Sequence, residues 1–545
     1  MPRYDTIIVG GGSAGCVLAH RLSQDHSRKL VLLEAGPVYP PDAYPRDLSE
    51  ADRLGGDPRH DWGYQSEPGR LGYGIAARSG KVLGGGSAIN AGVAKRAHSG
   101  DFARWAQHGV KGWSYEEVLT TYKALENTPT GCDDWHGRSG PLPIRQPTMP
   151  EATPVIRAFV EASVAAGFDH ISDFNGPSQH GVGLDPFNVV DGIRQNTGMV
   201  YLTAAVRERQ DLTIRGEAHV GKVEFERTQA KRVHLLGGEV IEADEIILCA
   251  GAYGTPAILM RSGIGPAQHL RDLDVEIIAD LPVGKRLLDH PFYYSTYALK
   301  AKAGEKHPAR GATIWTRSSE AASDELDLQI TASNSFDSTN PATRILTLAT
   351  AVTVPASVGS IRLTSSNPRV APWIDYGLLA EPRDRRRLLQ GVKMAHSIGR
   401  VPPLAGSLIM RSVPVATSSA TTRLEWLSKR TSILTTMAAL RRQWEERTTL
   451  LLLSIPSAVF AAYRDCVSSM RRSFRRFHPR QPISRQSCWR NALLRRSSRD
   501  IRLAREICER IRRRAHSALG TIARCRRCLD FTCPAREGRQ ADLTA

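Results

Sequence analysis

The first thirty-five residues pass from an unbroken apolar run to a glycine cluster, then to helically spaced apolar positions, then to a second apolar run. Tyr4-Asp-Thr-Ile-Ile-Val9 has the length and β-branched content of a strand buried on both faces. Val17 to Asp25 lie within a helical pattern, and Leu30-Val-Leu-Leu-Glu34 reads as a second buried strand. Strand, glycine turn, helix and strand in that order predict a βαβ unit with parallel strands. Helical spacing returns over 115–126, 154–166 and 382–398, while short strand patterns fall at 212–215, 222–226, 245–250, 326–332 and 360–364. Residues 37–75, rich in Pro, Gly and Asp, form a long excursion of the kind that packs on a ligand. The pattern predicts an α/β fold with a Rossmann-type domain.

Charge changes the picture of the C-terminal part. The 545-residue chain carries a formal net charge of +18, which by itself suggests a polyanionic partner. Residues 401–545, however, hold 28 Arg, one Lys and 10 acidic residues, a net of +19, so the first 400 residues are close to neutral. The same stretch has three of the 46 glycines and six of the nine cysteines. After about Leu427 the periodicity decays into arginine clusters such as Arg471-Arg-Ser-Phe-Arg-Arg476, and an irregular or helical, poorly ordered tail is expected there. Cys16, Cys132 and Cys249 are sparse and unpatterned, which fits a reducing compartment. With no secretory leader pattern ahead of the first strand, and an apolar run at 450–463 interrupted by Pro456, a cytoplasmic protein without a membrane span is expected.

Candidate chemistry begins at Gly10-x-Gly12-x-x-Gly15. The motif follows a strand, opens a helix, and is answered by Glu34 at the end of the second strand. Gly10 permits the tight turn, Gly12 lets main chain approach a pyrophosphate, and Gly15 allows close helix–strand packing. The diphosphate would sit on the helix N-terminus and Glu34 would accept hydrogen bonds from ribose hydroxyls, which disfavours a 2′-phosphate.

Gly80-Lys-Val-Leu-Gly-Gly-Gly-Ser-Ala-Ile-Asn90, then Asp101-Phe-Ala-Arg-Trp105 and Gly112-Trp-Ser-Tyr115, form one further signature. Gly251-Ala-Tyr-Gly-Thr-Pro256 running to Ser262-Gly-Ile-Gly-Pro266 forms another, and Asp61-Trp62-Gly-Tyr64 a third. Together they resemble the glucose–methanol–choline family of FAD-dependent alcohol oxidoreductases, closely over residues 4–300 and loosely over 300–400. The resemblance implies FAD contacts from Gly10, Gly12, Ser13, Ala14, Gly15, Glu34, Ala35, Trp62, Val82, Gly85, Asn90, Ala91, Gly92, Val93, Val220, Ala250 and Gly251. The Gly84–Gly86 cluster is expected to let main chain pack against the flat isoalloxazine. It also implies a discontinuous FAD-binding domain over 1–150 and 205–295. A substrate-binding domain with an antiparallel sheet is expected over 151–204 and 296–430, with an aberrant Arg-rich segment over 431–545. The sequence departs from the family at Arg286, where the family usually has Asn, and at Gly86, where it often has Ser. His290 reads as structural rather than as a base.

Family members pass a carbon-bound hydride from an alcohol to the flavin, with oxygen or a quinone as acceptor, and need a base for the hydroxyl proton. The resemblance places that base in a Tyr-His-His stretch near 435–437, where this sequence has Thr435-Thr-Met437, so the catalytic residue is unknown and the chain is expected to be inactive. Glu425-Trp-Leu427 resembles the helix preceding that stretch. Thr435-Thr-Met-Ala438 is encoded ACN-ACN-ATG-GCN, and one base earlier the same DNA reads NAC-NAC-NAT-GGC, which permits Tyr-His-His-Gly. A shifted reading frame therefore accounts for both the composition break and the missing motif. Two other readings remain: a hydroxynitrile lyase on the same scaffold, and a flavoprotein body with a basic module for nucleic acid or anionic surfaces. The arginine clusters lack interleaved aromatics, so a specific nucleic-acid partner is not expected. Cys525, Cys528 and Cys533 lack an evident fourth ligand, and no metal is expected.

Overall fold

The computed structural model describes residues 3–53, 55–300, 311–322, 325–336 and 344–415, with side chains of the last strand described to Ile409. The expected catalytic positions 435–437 and the Arg-rich segment lie outside these residues. In chain order the principal strands are β1 (Arg3–Val9), β2 (Leu30–Leu33), β3 (Gly181–Leu184), β4 (Leu212–Arg215), β5 (Val220–Glu226) and β6 (Gln229–Leu235). They continue with β7 (Val240–Leu248), β8 (Phe292–Leu299), β9 (Ala312–Thr316), β10 (Leu328–Phe336), β11 (Arg344–Val352) and β12 (Leu408–Val415). The helices that matter below are α1 (Ser13–Leu22), α2 (Arg46–Ser49), α3 (Gly86–Ile89), α4 (Ser99–Gln107), α5 (Tyr115–Leu125), α6 (Pro154–Ala165), α7 (Gly251–Arg261) and α8 (Pro382–Ile398).

Two six-stranded sheets organise these elements. The first runs β4-β2-β1-β7-β6-β5, with β4, β2, β1 and β7 parallel and β6 and β5 antiparallel additions. The βαβ unit stands as the apolar runs predict: Ile7, Ile8 and Leu30 to Leu33 are buried on both faces, with Cys16 and Ala19 of α1 packed on one of them. On the other face Ile7, Val9, Val31 and Leu33 join Val220, Val233 and Ile258. Parallel central strands covered on both sides explain why these segments carry no polar alternation.

The second sheet runs β12-β8-β11-β10-β9-β3, antiparallel throughout. Its helix-covered face supplies Ile314, Ile330, Leu346 and Leu348, which pack with Ile156 and Phe159 of α6 and Ala395 and Ile398 of α8. Both helices match the apolar spacing that predicted them, α8 to the residue. The strand read at 245–250 instead runs 240–248, and that at 326–332 runs 328–336. Arg387, fully buried on α8, reaches Glu325, Asp327 and Asp384, and Glu325 also accepts from Arg104 of α4. Among the described residues no helix is long and apolar enough to cross a membrane.

Candidate functional site

At the carboxyl end of β1 the chain turns sharply at Gly10, whose φ of +101° is available to glycine. A Cβ there would lie 2.5 Å from the Cys249 carbonyl oxygen, and one on Gly15 would lie 1.9 Å from the Gly10 carbonyl oxygen. Gly12 differs: a Cβ on it would meet only the Cα of Gly85, at 4.0 Å. Gly12 therefore borders open space, and Ser13 and Ala14 beside it are exposed at the N-terminus of α1, which has no side-chain cap. Uncapped N–H groups at a helix start facing open space suit an anion such as a diphosphate.

Glu34 closes the same corner. Only 5% exposed, it accepts hydrogen bonds from Gly11 N at Oε2 and Gly36 N at Oε1, both 2.8 Å. Burial pushes its pKa up, against the hydrogen bonds of Gly36, Gly11 and Ala35 and the charge of Lys81. Each oxygen keeps a further lone pair, so a ribose hydroxyl donating there would add to the support of a buried charge. The donor set thus fits an adenine dinucleotide without a 2′-phosphate. Gly36 and Lys81 belong to this corner as well: a Cβ on Gly36 would lie 1.9 Å from the Lys81 carbonyl oxygen. The Leu-Glu-Ala-Gly ending of the second apolar run was the available signal for Gly36.

The glycine cluster at 84–86 is packed on the protein on one side and open on the other. Gly85 (φ +49°) is buried, and a Cβ on it would lie 2.7 Å from Gly12 Cα; a Cβ on Gly84 (φ +97°) would lie 2.6 Å from Asn196 Oδ1. These two glycines seat the segment on the dinucleotide loop and on its own support, while Gly86 faces outward. The exposed surface of this segment continues one turn later. Asn90, Ala91 and Val93 (41% exposed) form an outward strip, with Gly92 between them at φ +71°.

That strip is held from beneath by residues the motif reading passed over. Arg194, fully buried, donates to the carbonyls of Leu48, Ala51 and Arg53 and, at 2.8 Å, to that of Ala88 in α3. Thr197 N donates to Ser87 Oγ, and Asn196 Oδ1 caps Met199 N, leaving Asn196 Nδ2 buried without a partner among the described residues. The run Arg194-Gln-Asn-Thr197 offered no motif; its signal was a lone Arg amid loop-like sequence.

Trp62 stacks on Tyr64 at 5.7 Å and meets His219 edge-on at 5.0 Å, with Lys81 Nζ 5.3 Å from the ring centre. Burial, followed by the charges of Arg261, Lys81 and Arg369, pulls His219 down to about 4 and leaves it neutral at ordinary pH. Val82 and Val220 are buried among core side chains, so any contact they make with a cofactor runs through main chain. Ala35 and Ala250 are half-buried and Gly251 (φ +75°) is exposed at the start of α7. Arg286 and His290 are both exposed, and His290 N donates to Asp289 Oδ1. The dinucleotide loop, Glu34 and the 84–93 segment converge. No histidine base is identified at the strip among the described residues, and no cluster of potential metal ligands is found there.

Two family models described as GMC oxidoreductase match residues 4–292 and 355–444. An oxygen-dependent choline dehydrogenase of Sinorhizobium fredii is 40% identical over 309 residues, 54% of each chain. The alignment thus spans about half the length of this and similar choline dehydrogenases. An uncharacterized GMC-type oxidoreductase in the thcA 5′ region of Rhodococcus erythropolis is 33% identical over 410 residues, covering 72% of this chain and 79% of the relative. Among solved structures, pyridoxine 4-oxidase from Mesorbium loti superposes with a TM-score of 0.69 at 31% identity, over 78% of this chain and 86% of that one. Formate oxidase, at 20% identity and a TM-score of 0.68, covering 79% and 87%, has the same fold.

Proposed function

Because this chain belongs to the glucose–methanol–choline oxidoreductase family, we propose that it binds FAD at the Gly12–Glu34 corner and oxidises the CH–OH group of a small alcohol. The observation that carries the reading is the open space beside Gly12 at the exposed start of α1, where Gly85, at the head of the segment leading to Asn90–Val93, meets the dinucleotide loop. In this reading Ser13 and Ala14 meet the diphosphate through main-chain N–H groups, and Glu34 holds the ribose. Asn90, Ala91 and Val93 orient the ring system while Trp62 borders it. The 1–150 and 205–295 segments form the FAD-binding domain, and 151–204 and 296–430 the substrate-binding domain.

Bound FAD would supply the two-electron sink for the hydrogen on the alcohol carbon. The chain's part is to orient the alcohol over the strip and to take the hydroxyl proton, and the second task has no assigned residue. Choline dehydrogenase and pyridoxine oxidase among the relatives make choline-like and pyridoxine-like alcohols the first candidates, with oxygen the first acceptor to try. We propose a cytoplasmic location, without a membrane span, and assign the Arg-rich segment no specific nucleic-acid partner.

The test is direct. Purified full-length chain titrated with FAD should show quenching of flavin fluorescence and a perturbed flavin absorbance band, whereas NAD should not compete at equal concentration. Preferential NAD binding would overturn the assignment.

A further inference from the structure

The main chain that leaves the Asn90–Val93 strip is gripped by three consecutive residues of a turn some eighty positions later in the sequence. Gly92 and Ala94 first pair with the chain leaving β3: Asn188 N donates to the Gly92 carbonyl and Ala94 N to the Pro186 carbonyl, both at 2.9 Å. The next two main-chain groups are taken by one side chain. Asn175 Nδ2 donates to the Ala94 carbonyl, and Arg96 N donates to Asn175 Oδ1, each at 2.8 Å. Asn175 is 1% exposed, so both bonds form in a desolvated setting, and its amide meets residues 94 and 96 much as a neighbouring strand would.

The two residues before Asn175 hold the same turn and the same segment. Asn175 N donates to Asp173 Oδ1 at 2.8 Å, and His136 Nε2 to Asp173 Oδ2 at 2.6 Å, so the turn is itself fastened. Phe174, fully buried, carries the Lys95 ammonium 5.2 Å from its ring centre. Lys95 in turn donates to Asp185 Oδ1, just past β3, and to Thr313 Oγ1 of β9, each at 2.9 Å. The Arg96 guanidinium donates back to the Asn175 carbonyl at 3.0 Å. Residues 94–96 are thus fixed at once to the 173–175 turn and to the second sheet.

Asn90, Ala91 and Val93 are exposed, so the path of the strip follows from how its two ends are held. Arg194 ties the leading end through the Ala88 carbonyl of α3, and Asn175 ties the trailing end. A misplacement of about 1 Å between reacting groups is enough to slow a transfer step severely. Resting on the FAD reading above, we propose that Asn175 is a positioning residue for the reaction: it sets the path of residues 94–96, and through them the surface on which the flavin ring lies.

Full-length Asn175→Ala and Asn175→Asp would be compared with the parent and with Leu346→Ala, a control destabilised in the helix-covered core. Three quantities are read: amide hydrogen exchange of peptides covering 90–98 without flavin, affinity for FAD, and the resolution of the bound flavin's visible bands. Asn175→Ala should speed exchange over 90–98 and weaken FAD binding about tenfold, as expected for two lost neutral hydrogen bonds. Asn175→Asp keeps the acceptor for Arg96 N but sets an oxygen against the Ala94 carbonyl, and should act in the same direction. Leu346→Ala should lower the melting temperature and leave the 90–98 exchange and FAD affinity as in the parent. Should Asn175→Ala not fold, Asn175→Asp carries the same test. Parent-like exchange over 90–98 in an Asn175 variant, or FAD affinity reduced no more than in Leu346→Ala, would overturn the proposal. Failure of the parent to bind FAD would instead defeat the cofactor reading, and exchange over 90–98 in the flavin-free proteins would still decide whether Asn175 holds the segment.

Discussion

Gly12 and Gly85 meet main chain to main chain, and the contact is asymmetric. A Cβ on Gly85 would lie 2.7 Å from Gly12 Cα, whereas one on Gly12 would lie 4.0 Å from Gly85 Cα. The tight side of this pair is protein against protein; the loose side borders the space assigned to a diphosphate. Substitutions at the two positions should therefore fail in different ways.

Gly12→Val is expected to fold with a melting temperature near that of the parent measured without flavin, and to lose FAD binding. Gly85→Ala, strained by its positive φ and by the Gly12 backbone, is expected to lower stability by about 1–3 kcal/mol before any ligand is added. Thermal unfolding of the two apo-proteins, together with flavin content after purification, checks both. Undiminished flavin in Gly12→Val would remove the diphosphate from this corner.

Arg194 gives a second separation. It ties α2, the 51–53 turn and α3 together through four carbonyls from a fully buried position. Arg194→Met strands those acceptors, and a loss of about 3 kcal/mol in denaturant unfolding is expected. Arg194→Lys, with three donors on a single nitrogen, should recover only part of it. If α3 sets the strip, flavin affinity should fall in step with stability across the two variants.

Much of this architecture was legible because its residues have few alternatives. A Gly-x-Gly-x-x-Gly run between apolar stretches admits one backbone path, and Glu34 follows from the strand's length. β6 was missed for a physical reason: Arg232 and His234 pair across to Glu224 and Glu226 on β5, so an ion-pair ladder replaces apolar alternation. β10 was read two residues early because Asp327, which looks like an outward polar position, is buried against Arg387. Arg194 and Asn196 were invisible because buried polar support obeys no period. The close contacts of Gly84 with Asn196 and of Gly85 with Gly12 were not legible, since sequence indicates that a Cβ is excluded without indicating what excludes it.

His136 makes folding stability sensitive to pH. Its Nε2 donates to Asp173 at 2.6 Å and its Nδ1 to Glu126 at 2.9 Å, where Arg96 also donates. The bonds to Asp173 and Glu126, opposed by burial, lift its pKa to about 9. Burial alone would raise Glu126 and Asp173, but the His136 bonds and neighbouring N–H groups hold both below their usual range. A raised histidine stabilises fully below its unfolded pKa near 6.5 and loses that contribution as pH rises through about 9. The lowered carboxylates act the other way, losing theirs as pH falls through the acid range. Denaturation midpoints should therefore decline between pH 7 and 10 in the parent and decline less in His136→Gln, whose stability at pH 6 should be lower. Parallel pH profiles for the two proteins would remove His136 from this role.

The final prediction concerns the missing base. Positions 435–437 carry Thr435-Thr-Met437, and neither His478 nor His516, the two histidines beyond residue 400, has the flanking residues that the family's catalytic histidine has. If no other group takes the hydroxyl proton, the chain as written is expected to bind flavin yet oxidise alcohols slowly. General-base assistance contributes about 10²–10⁴-fold, so the deficit is measurable in a single-turnover assay of flavin bleaching under anaerobic conditions. Shifting the coding frame by one base near codons 427–433 is expected to place a Tyr-His-His-Gly run at positions 435–438 and to restore bleaching by a factor in that range. Because hydride acceptance and proton removal are separate demands, flavin binding should be similar in both proteins while the rate differs. Rapid bleaching by the unshifted chain would locate the base elsewhere, with His290→Asn the first variant to make. If the shifted frame carries no such run, the arginine-rich segment is a coded part of the protein, and the net charge of +16 over residues 431–545 would then be expected to show as salt-dependent retention on a polyanion.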